Sequence, residues 1–188
     1  MNHTPDFPHF EGDMLSPAEH GEHVIIYNPV NLIRMQTGVA GAIDRRFIFF
    51  EGCYAKWRRR KLNPGAVQHY INVDPHLHLA VAYVFNMAPG CIISMDAIDT
   101  SLNSIAKMHR DIHGILRVPY HLDYFQSMPS ATWRCIMASL ERIIRNNTNL
   151  RVEIWYHKDD MPPAVMHDPE IDDATHLRII HETSRRGW

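Results

Sequence analysis

The expected architecture follows from the segment Tyr27-Asn-Pro-Val-Asn-Leu-Ile-Arg-Met-Gln-Thr-Gly38-Val-Ala-Gly-Ala-Ile-Asp-Arg-Arg-Phe47, which leads from an apolar strand through a polar loop into an amphipathic helix. Apolar residues recur at helical spacing after Gly38 and predict a helix with one core-facing side. Backbone N–H groups and the helix dipole favour an anion at this helix start, and a glycine lets a ligand approach the main chain. The segment therefore predicts a phosphate or diphosphate site, although many strand-loop-helix units bind nothing.

The composition is that of one globular domain, with 45% hydrophobic and 21% charged residues in 188. The longest apolar runs are too short to span a bilayer, and the amino terminus has no signal-peptide pattern. Cys53, Cys91 and Cys135 lie far apart and argue against a disulfide framework or a structural zinc site. We expect a soluble, cytoplasmic protein with no membrane partner. The formal net charge of −2 makes nucleic acid an unexpected partner.

Alternating strand and helix patterns predict an α/β fold, with a mixed sheet covered by helices on both faces. The predicted strands are residues 7–10, 23–27, 66–73, 77–85, 115–119 and 150–156. Beyond the helix after Gly38, helices are predicted over residues 94–113 and 133–146, with a long loop over residues 120–132. We expect one domain over residues 1–157. Residues 158–188 are expected to form a Pro-rich acidic linker and a C-terminal helix packed on that domain.

Several motifs, taken in chain order, resemble those of the macro domain, the ADP-ribose-binding α/β/α module. Glu11-Gly-Asp-Met14 is similar to its Gly-Asp-Ile/Leu turn, and the segment 35–47 is similar to its glycine-rich loop and helix. Val84-Phe-Asn-Met87 resembles the strand end beside the distal ribose. Val118-Pro119 and Trp133 bracket the position of the second phosphate loop.

The resemblance covers about residues 7–157 and is closest to the branch that contains terminal ADP-ribose glycohydrolases. It implies a three-layer α/β/α sandwich. Two departures concern the phosphate loops. Gln36 and Thr37 replace two glycines of the first loop, and the second loop, residues 120–130, is longer than usual and contains no glycine.

The resemblance assigns the adenine end and the distal ribose to particular side chains. Asp13 would accept a hydrogen bond from the adenine exocyclic amine, with Met14 beside it; the alternative is a carboxylate that caps a turn. Asn31 or Asn28 would hold the distal ribose, beside the strand end that carries Asn86. As an alternative, such loop asparagines satisfy only backbone groups.

The diphosphate and the underside of the distal ribose are assigned in the same way. Main-chain N–H groups of one short run would contact the diphosphate, namely Gly38, Val39, Ala40 and Gly41. Tyr124 and Phe125 lie where the family places an aromatic ring under the distal ribose. The alternatives are close helix–strand packing at the glycines and loop aromatics that fill the core.

The candidates for acid–base chemistry are His121 and Asp123, the titratable residues of the second loop, unless they are simply solvated. The glycohydrolase branch uses a lysine near Asn86, and other macro hydrolases place an aspartate at the position of Ala40; neither is found here. The resemblance therefore predicts binding of ADP-ribose or a derived nucleotide and leaves hydrolysis of an ADP-ribose derivative open. The alternatives are non-catalytic sequestration of an ADP-ribose-type signalling nucleotide and a protein-interaction scaffold.

The 14 histidines of the chain suggest a metal centre as an alternative. His76 and His78 are predicted to share a strand face, and His109 and His113 a helix face. Two ligands do not make a site without a third. We expect no metal and no other cofactor.

Overall fold

Six strands form a mixed sheet in the computed structural model, which describes residues 7–29, 42–43, 45–46, 63–74, 79–84, 87–88, 92–120, 130–146 and 149–156. These strands are β1 (His9–Glu11), β2 (His23–Pro29), β3 (Val67–Asp74), β4 (Leu79–Val84), β7 (Gly114–Pro119) and β8 (Leu150–Tyr156). A separate antiparallel pair consists of β5 (Met87–Ala88) and β6 (Ile92–Ile93). The helices are α1 (Met95–Met108) and α2 (Ser130–Arg145), and Ala42, Ile43, Arg45 and Arg46 are also helical.

The strand order is β1-β8-β7-β2-β4-β3, with every neighbouring pair parallel except β3 and β4. The predicted mixed sheet is thus confirmed, and the expected hairpin is the β3–β4 pair at one edge. Parallel strands buried on both faces read as continuous apolar runs. This is why residues 23–27 and 115–119 were recognisable as strands.

Helices cover both faces of the sheet. One face packs Ile25 and Tyr27 of β2, with alternate residues of β7 and β8, against α1 and α2. Since side chains alternate along a strand, Val24, Ile26 and Asn28 point to the other face. There the buried Ile43 belongs to the helical segment that follows β2. The architecture is therefore the predicted three-layer α/β/α sandwich.

Two helix boundaries were predicted wrongly. α1 ends at Met108, not at His113, because the His109 N–H already closes the last turn on the Ile105 carbonyl (3.0 Å). His109 and His113 therefore do not share a helix face. α2 begins at Ser130, three residues before the predicted start at Trp133. Trp133 near the start of α2 is buried, and the sequence Ser130-Ala-Thr132 before it has no large apolar residue that would indicate a helix.

A cluster of three histidines surrounds the end of α1. His109 is only 1% exposed, and its ring centroid lies 5.7 Å from that of His23 and 5.8 Å from that of His69. Burial and these two imidazoles lower the pKa of His109 to about 4. The native fold therefore holds this ring in its neutral form. Within the described ranges, no three His, Cys, Asp or Glu side chains are arranged to hold a metal ion.

Among the described residues, no helix is both long enough and apolar enough to cross a membrane. The predicted boundary at residue 157 and the segment 158–188 lie outside the described residues, and the cytoplasmic location stays a prediction.

We expect His109 to make stability depend on pH. The unfolded chain has an ordinary pKa near 6.5 at this residue, so it binds the proton more tightly than the native state does. Stability is then complete above that value and is lost as the pH falls towards 4, by on the order of 3 kcal/mol. Urea unfolding of the protein and of His109→Gln across this range measures the difference. The exposed His113 supplies the control, since His113→Gln should retain the pH dependence; an unchanged dependence in His109→Gln would refute the assignment.

Candidate functional site

The connections of the sheet reverse their direction of winding beside β2, and the space outside the carboxyl ends of the strands at that point is here called the crevice. After β2 the chain runs to β3 and β4 on one side, and after β4 it returns through α1 to β7 on the other side. Open α/β sheets bind ligands outside the carboxyl ends of the strands where the direction of winding reverses in this way. Here that point lies between the ends of β2 and β7, at Pro29 and Pro119.

Asn28 is the polar side chain of β2 nearest to this crevice. It is fully buried, and neither its amide oxygen nor its amide nitrogen has a hydrogen-bond partner among the residues that the structure describes. An unpaired buried amide costs about 1–3 kcal/mol in proteins. Asn28 also points to the face that carries Ile43, away from the core under α1 and α2. A ligand with complementary polar groups would offset the cost.

Asp13 follows β1 on a tight loop at the same edge of the sheet. Its Oδ1 accepts the Leu15 N–H at 2.9 Å, and its carbonyl accepts the Ser16 N–H at 2.9 Å. The carboxylate thus caps a turn, which was the alternative interpretation of this residue. A carboxylate has about four lone-pair positions, however, and the side chain remains 60% exposed. Capping the turn therefore leaves acceptor positions for a ligand.

Arg46 lies beside this carboxylate. Its Nη1 is 3.2 Å from Oδ2 of Asp13, and the contact joins the helical segment after β2 to the loop after β1. Both side chains are partly exposed, so the ion pair contributes little to stability. Its significance is geometric, because it places residue 46 of the helical segment after β2 next to the predicted adenine end.

The loop of residues 13–16 is fixed to the sheet by Arg117 of β7. Nη1 of Arg117 donates to the carbonyls of Met14 (2.9 Å) and Ser16 (2.6 Å). Its Nε donates to Oε2 of Glu153 (3.2 Å), and its guanidinium lies 4.3 Å from the ring centroid of Trp155. Arg117 is 3% exposed; burial lowers its pKa, and Glu153 opposes that shift.

Sequence reasoning missed Arg117, Glu153 and Arg46. The sequence does contain a sign of the ion pair, because each of two apolar strands includes a charged residue of opposite sign. These residues are Arg117 in β7 and Glu153 in β8. These residues are direct partners in the parallel register of the two strands. Only the strand order could show that the two charges meet.

The chain resembles solved structures of macrodomains. One is a macrodomain protein from Streptomyces coelicolor, with a TM-score of 0.59, 20% identity, and 80% of this chain and 98% of that chain covered. Another is the macrodomain of Mycobacterium tuberculosis DarG, with a TM-score of 0.62, 16% identity, and coverage of 85% and 99%.

A third similar structure is a Trypanosoma brucei macrodomain in complex with ADP-ribose, with a TM-score of 0.54, 14% identity, and coverage of 81% and 64%. The chain has a macro-domain fold. No protein-family model matches the sequence, and no curated protein matches it either. At these identities the likeness establishes the macro fold alone.

Three of the predicted site residues lie in the described part of the macro fold. Asp13 and Met14 lie together on the loop after β1, and Asn28 lies near the end of β2. Met14 is buried and presents its carbonyl to Arg117. The remaining predicted site residues lie outside the described residues: Asn31, Gly38, Val39, Ala40, Gly41, Asn86, His121, Asp123, Tyr124 and Phe125.

The two sides of the predicted second loop are held together in this macro fold. Tyr120 follows β7, Trp133 lies in the first turn of α2, and their ring centroids are 5.3 Å apart at an interplanar angle of 72°. Both rings are buried, and burial raises the pKa of Tyr120 to about 12. One aromatic contact therefore joins the two segments that flank the loop with the predicted acid–base residues.

We expect Asn28→Leu to leave the free energy of unfolding unchanged or to raise it by about 1 kcal/mol, because leucine has a similar size and needs no hydrogen bond. Tyr27→Phe on the opposite face of β2 is the matched control. It removes a hydroxyl that lies 3.3 Å from Ser101 Oγ and should lower stability by about 1 kcal/mol. Urea unfolding measures both variants. A loss of about 2 kcal/mol or more in Asn28→Leu would show that the native amide is satisfied.

Proposed function

We propose that this protein binds ADP-ribose, or a nucleotide built on ADP-ribose, in the crevice at the carboxyl ends of β1, β7 and β2. The adenine lies at Asp13 and Met14, the diphosphate at the start of the helix after Gly38, and the distal ribose beside Asn28 or Asn31. This proposal combines the macro fold with the side chains at its crevice.

The observation that carries the proposal is the buried Asn28 amide, which makes no hydrogen bond with any described residue at the point where the winding reverses. A folded protein tolerates such a group where a ligand satisfies it. The bound state of the Trypanosoma brucei macrodomain supports ADP-ribose as that ligand.

The spacing of the strands favours an elongated ligand. β1 and β2 are separated by β8 and β7, which makes three strand spacings, or about 14 Å. ADP-ribose places a base, two phosphates and a second ribose in series, so it can reach from Asp13 towards β2. AMP ends after one phosphate and cannot reach both ends.

Hydrolysis of an ADP-ribose derivative remains a prediction from the sequence, with His121 and Asp123 as its candidates. The resemblance places a lysine near Asn86 or an aspartate at the position of Ala40 in such hydrolases, and neither is found in this sequence. We therefore place binding ahead of turnover, with sequestration of a signalling nucleotide as the second candidate.

ADP-ribose should bind at least tenfold more tightly than AMP, because the second phosphate and distal ribose each add hydrogen bonds worth about 1 kcal/mol or more. Isothermal titration calorimetry with both ligands measures the ratio, and ribose 5-phosphate serves as a fragment without the base. Equal affinities for ADP-ribose and AMP would remove the diphosphate and distal ribose sites from the proposal. No binding of either would leave the scaffold alternative.

Asp13→Asn separates base recognition from turn formation. The amide oxygen can still accept the Leu15 N–H, so stability should change little. The amide nitrogen is a donor, like the exocyclic amine of adenine, so the affinity for ADP-ribose should fall roughly tenfold or more. Asp13→Ala removes both contacts and should lose about 1 kcal/mol of stability as well.

The matched ligand for this test is inosine diphosphate ribose, which carries an oxygen in place of the exocyclic amine. The wild-type protein should prefer the adenine form, and Asp13→Asn should lose that preference. A variant that keeps the full preference would show that Asp13 is a turn cap only.

A further inference from the structure

Arg117 is a buried cation whose contacts reach outside its own strand. Two of its hydrogen bonds go to main-chain carbonyls of residues 14 and 16, more than 100 positions away in the chain. The other goes to Glu153, which is 7% exposed and also accepts the Trp155 indole N–H at 3.0 Å. A guanidinium is planar and carries five donors, so one side chain can join two strands and a loop.

The loop held in this way is the one that carries Asp13. Residue 13 lies directly before the first bonded carbonyl and three positions before the second. The turn inside the loop is closed by the Leu15 and Ser16 N–H groups, both donated to Asp13 itself. Any shift of the loop relative to β7 therefore moves the Asp13 carboxylate.

From the geometry we infer that Arg117 is the positioning residue for base selection: through the Met14 and Ser16 carbonyls it fixes the Asp13 carboxylate in the place where it reads the exocyclic amine. Arg117 itself need not touch the ligand. The inference rests on the proposed function, because it assigns base selection to the loop after β1.

Lysine cannot replace Arg117 in this role. Its ammonium is a single point with three donors, so it cannot reach Glu153 on one side and two loop carbonyls on the other in the same arrangement. Arg117→Lys keeps the positive charge opposite Glu153 and loses the planar arrangement of N–H donors. The variant should therefore bind with altered selectivity and keep the buried charge pair.

The test measures the ratio of affinities for ADP-ribose and inosine diphosphate ribose in four proteins: wild type, Arg117→Lys, Asp13→Asn and the double variant. We expect a ratio of roughly tenfold or more in the wild type and a ratio near one in both single variants. The double variant should be no worse than Asp13→Asn alone, because both changes remove the same contact. General destabilisation would lower both affinities and leave their ratio unchanged.

The control for an arginine-to-lysine change is Arg142→Lys. Arg142 of α2 pairs with Asp99 of α1 at 2.5 Å, on the opposite face of the sheet, and both side chains are partly exposed. This variant should keep the wild-type ratio. If Arg117→Lys does not fold, Glu153→Gln takes its place, because it removes the charge that orients the guanidinium and leaves an acceptor at that position.

Amide hydrogen exchange adds a readout without ligand. In Arg117→Lys the Leu15 and Ser16 amides should exchange at least tenfold faster, while the Gly12 amide, bonded to the Tyr156 carbonyl at 3.2 Å, should be unchanged. A wild-type base preference that Arg117→Lys retains, or additive losses in the double variant, would overturn the positioning role and leave the proposed function standing. A wild-type protein that binds neither nucleotide would overturn both.

Discussion

The buried ion pair between Arg117 of β7 and Glu153 of β8 fixes the position of the loop after β1 relative to these two strands. Both side chains are almost fully buried, so both charges lose their hydration on folding. Such a pair is tolerated only if further hydrogen bonds satisfy the remaining donors and acceptors. Here the further partners are the carbonyls of the loop after β1 and the indole of Trp155. The two strands can therefore bury these charges only when that loop is in place, which couples the register of the sheet to one end of the crevice.

The other end of the crevice shows the opposite balance. Asn28 is as buried as the apolar residues next to it in β2, yet its amide bonds to no described residue. At the Arg117 end the polar groups are satisfied within the protein, whereas the Asn28 amide finds no partner among the described residues. The Arg117 end is therefore held by contacts of the fold itself. A buried amide without such contacts is expected where another group supplies them.

Sequence alone was sufficient for features that depend on local pattern. The apolar runs at β2, β7 and β8 predicted buried parallel strands, and the ordered motifs around Asp13 and Gly38 predicted the macro fold. Sequence patterns were insufficient where contacts between residues far apart in the chain determine the structure. The end of α1 was placed at His113, because nothing local shows that His109 turns inward towards His23 and His69. Arg117 was missed for the same reason, since its partners are 36 and more than 100 residues away.

The structural role of Asp13 is compatible with the function proposed for it. Its Oδ1 closes the turn at Leu15, its Oδ2 faces Arg46, and its exposed side leaves acceptor positions for a base. Because the turn orients the carboxylate, the capping role would also set the direction of the proposed contact with the base. Arg46 acts on the same group from the helix after β2, which is the helix predicted to hold the diphosphate. In the proposed binding mode a shift of that helix would also change the charge next to Asp13, so the adenine and diphosphate ends would be linked through this one carboxylate.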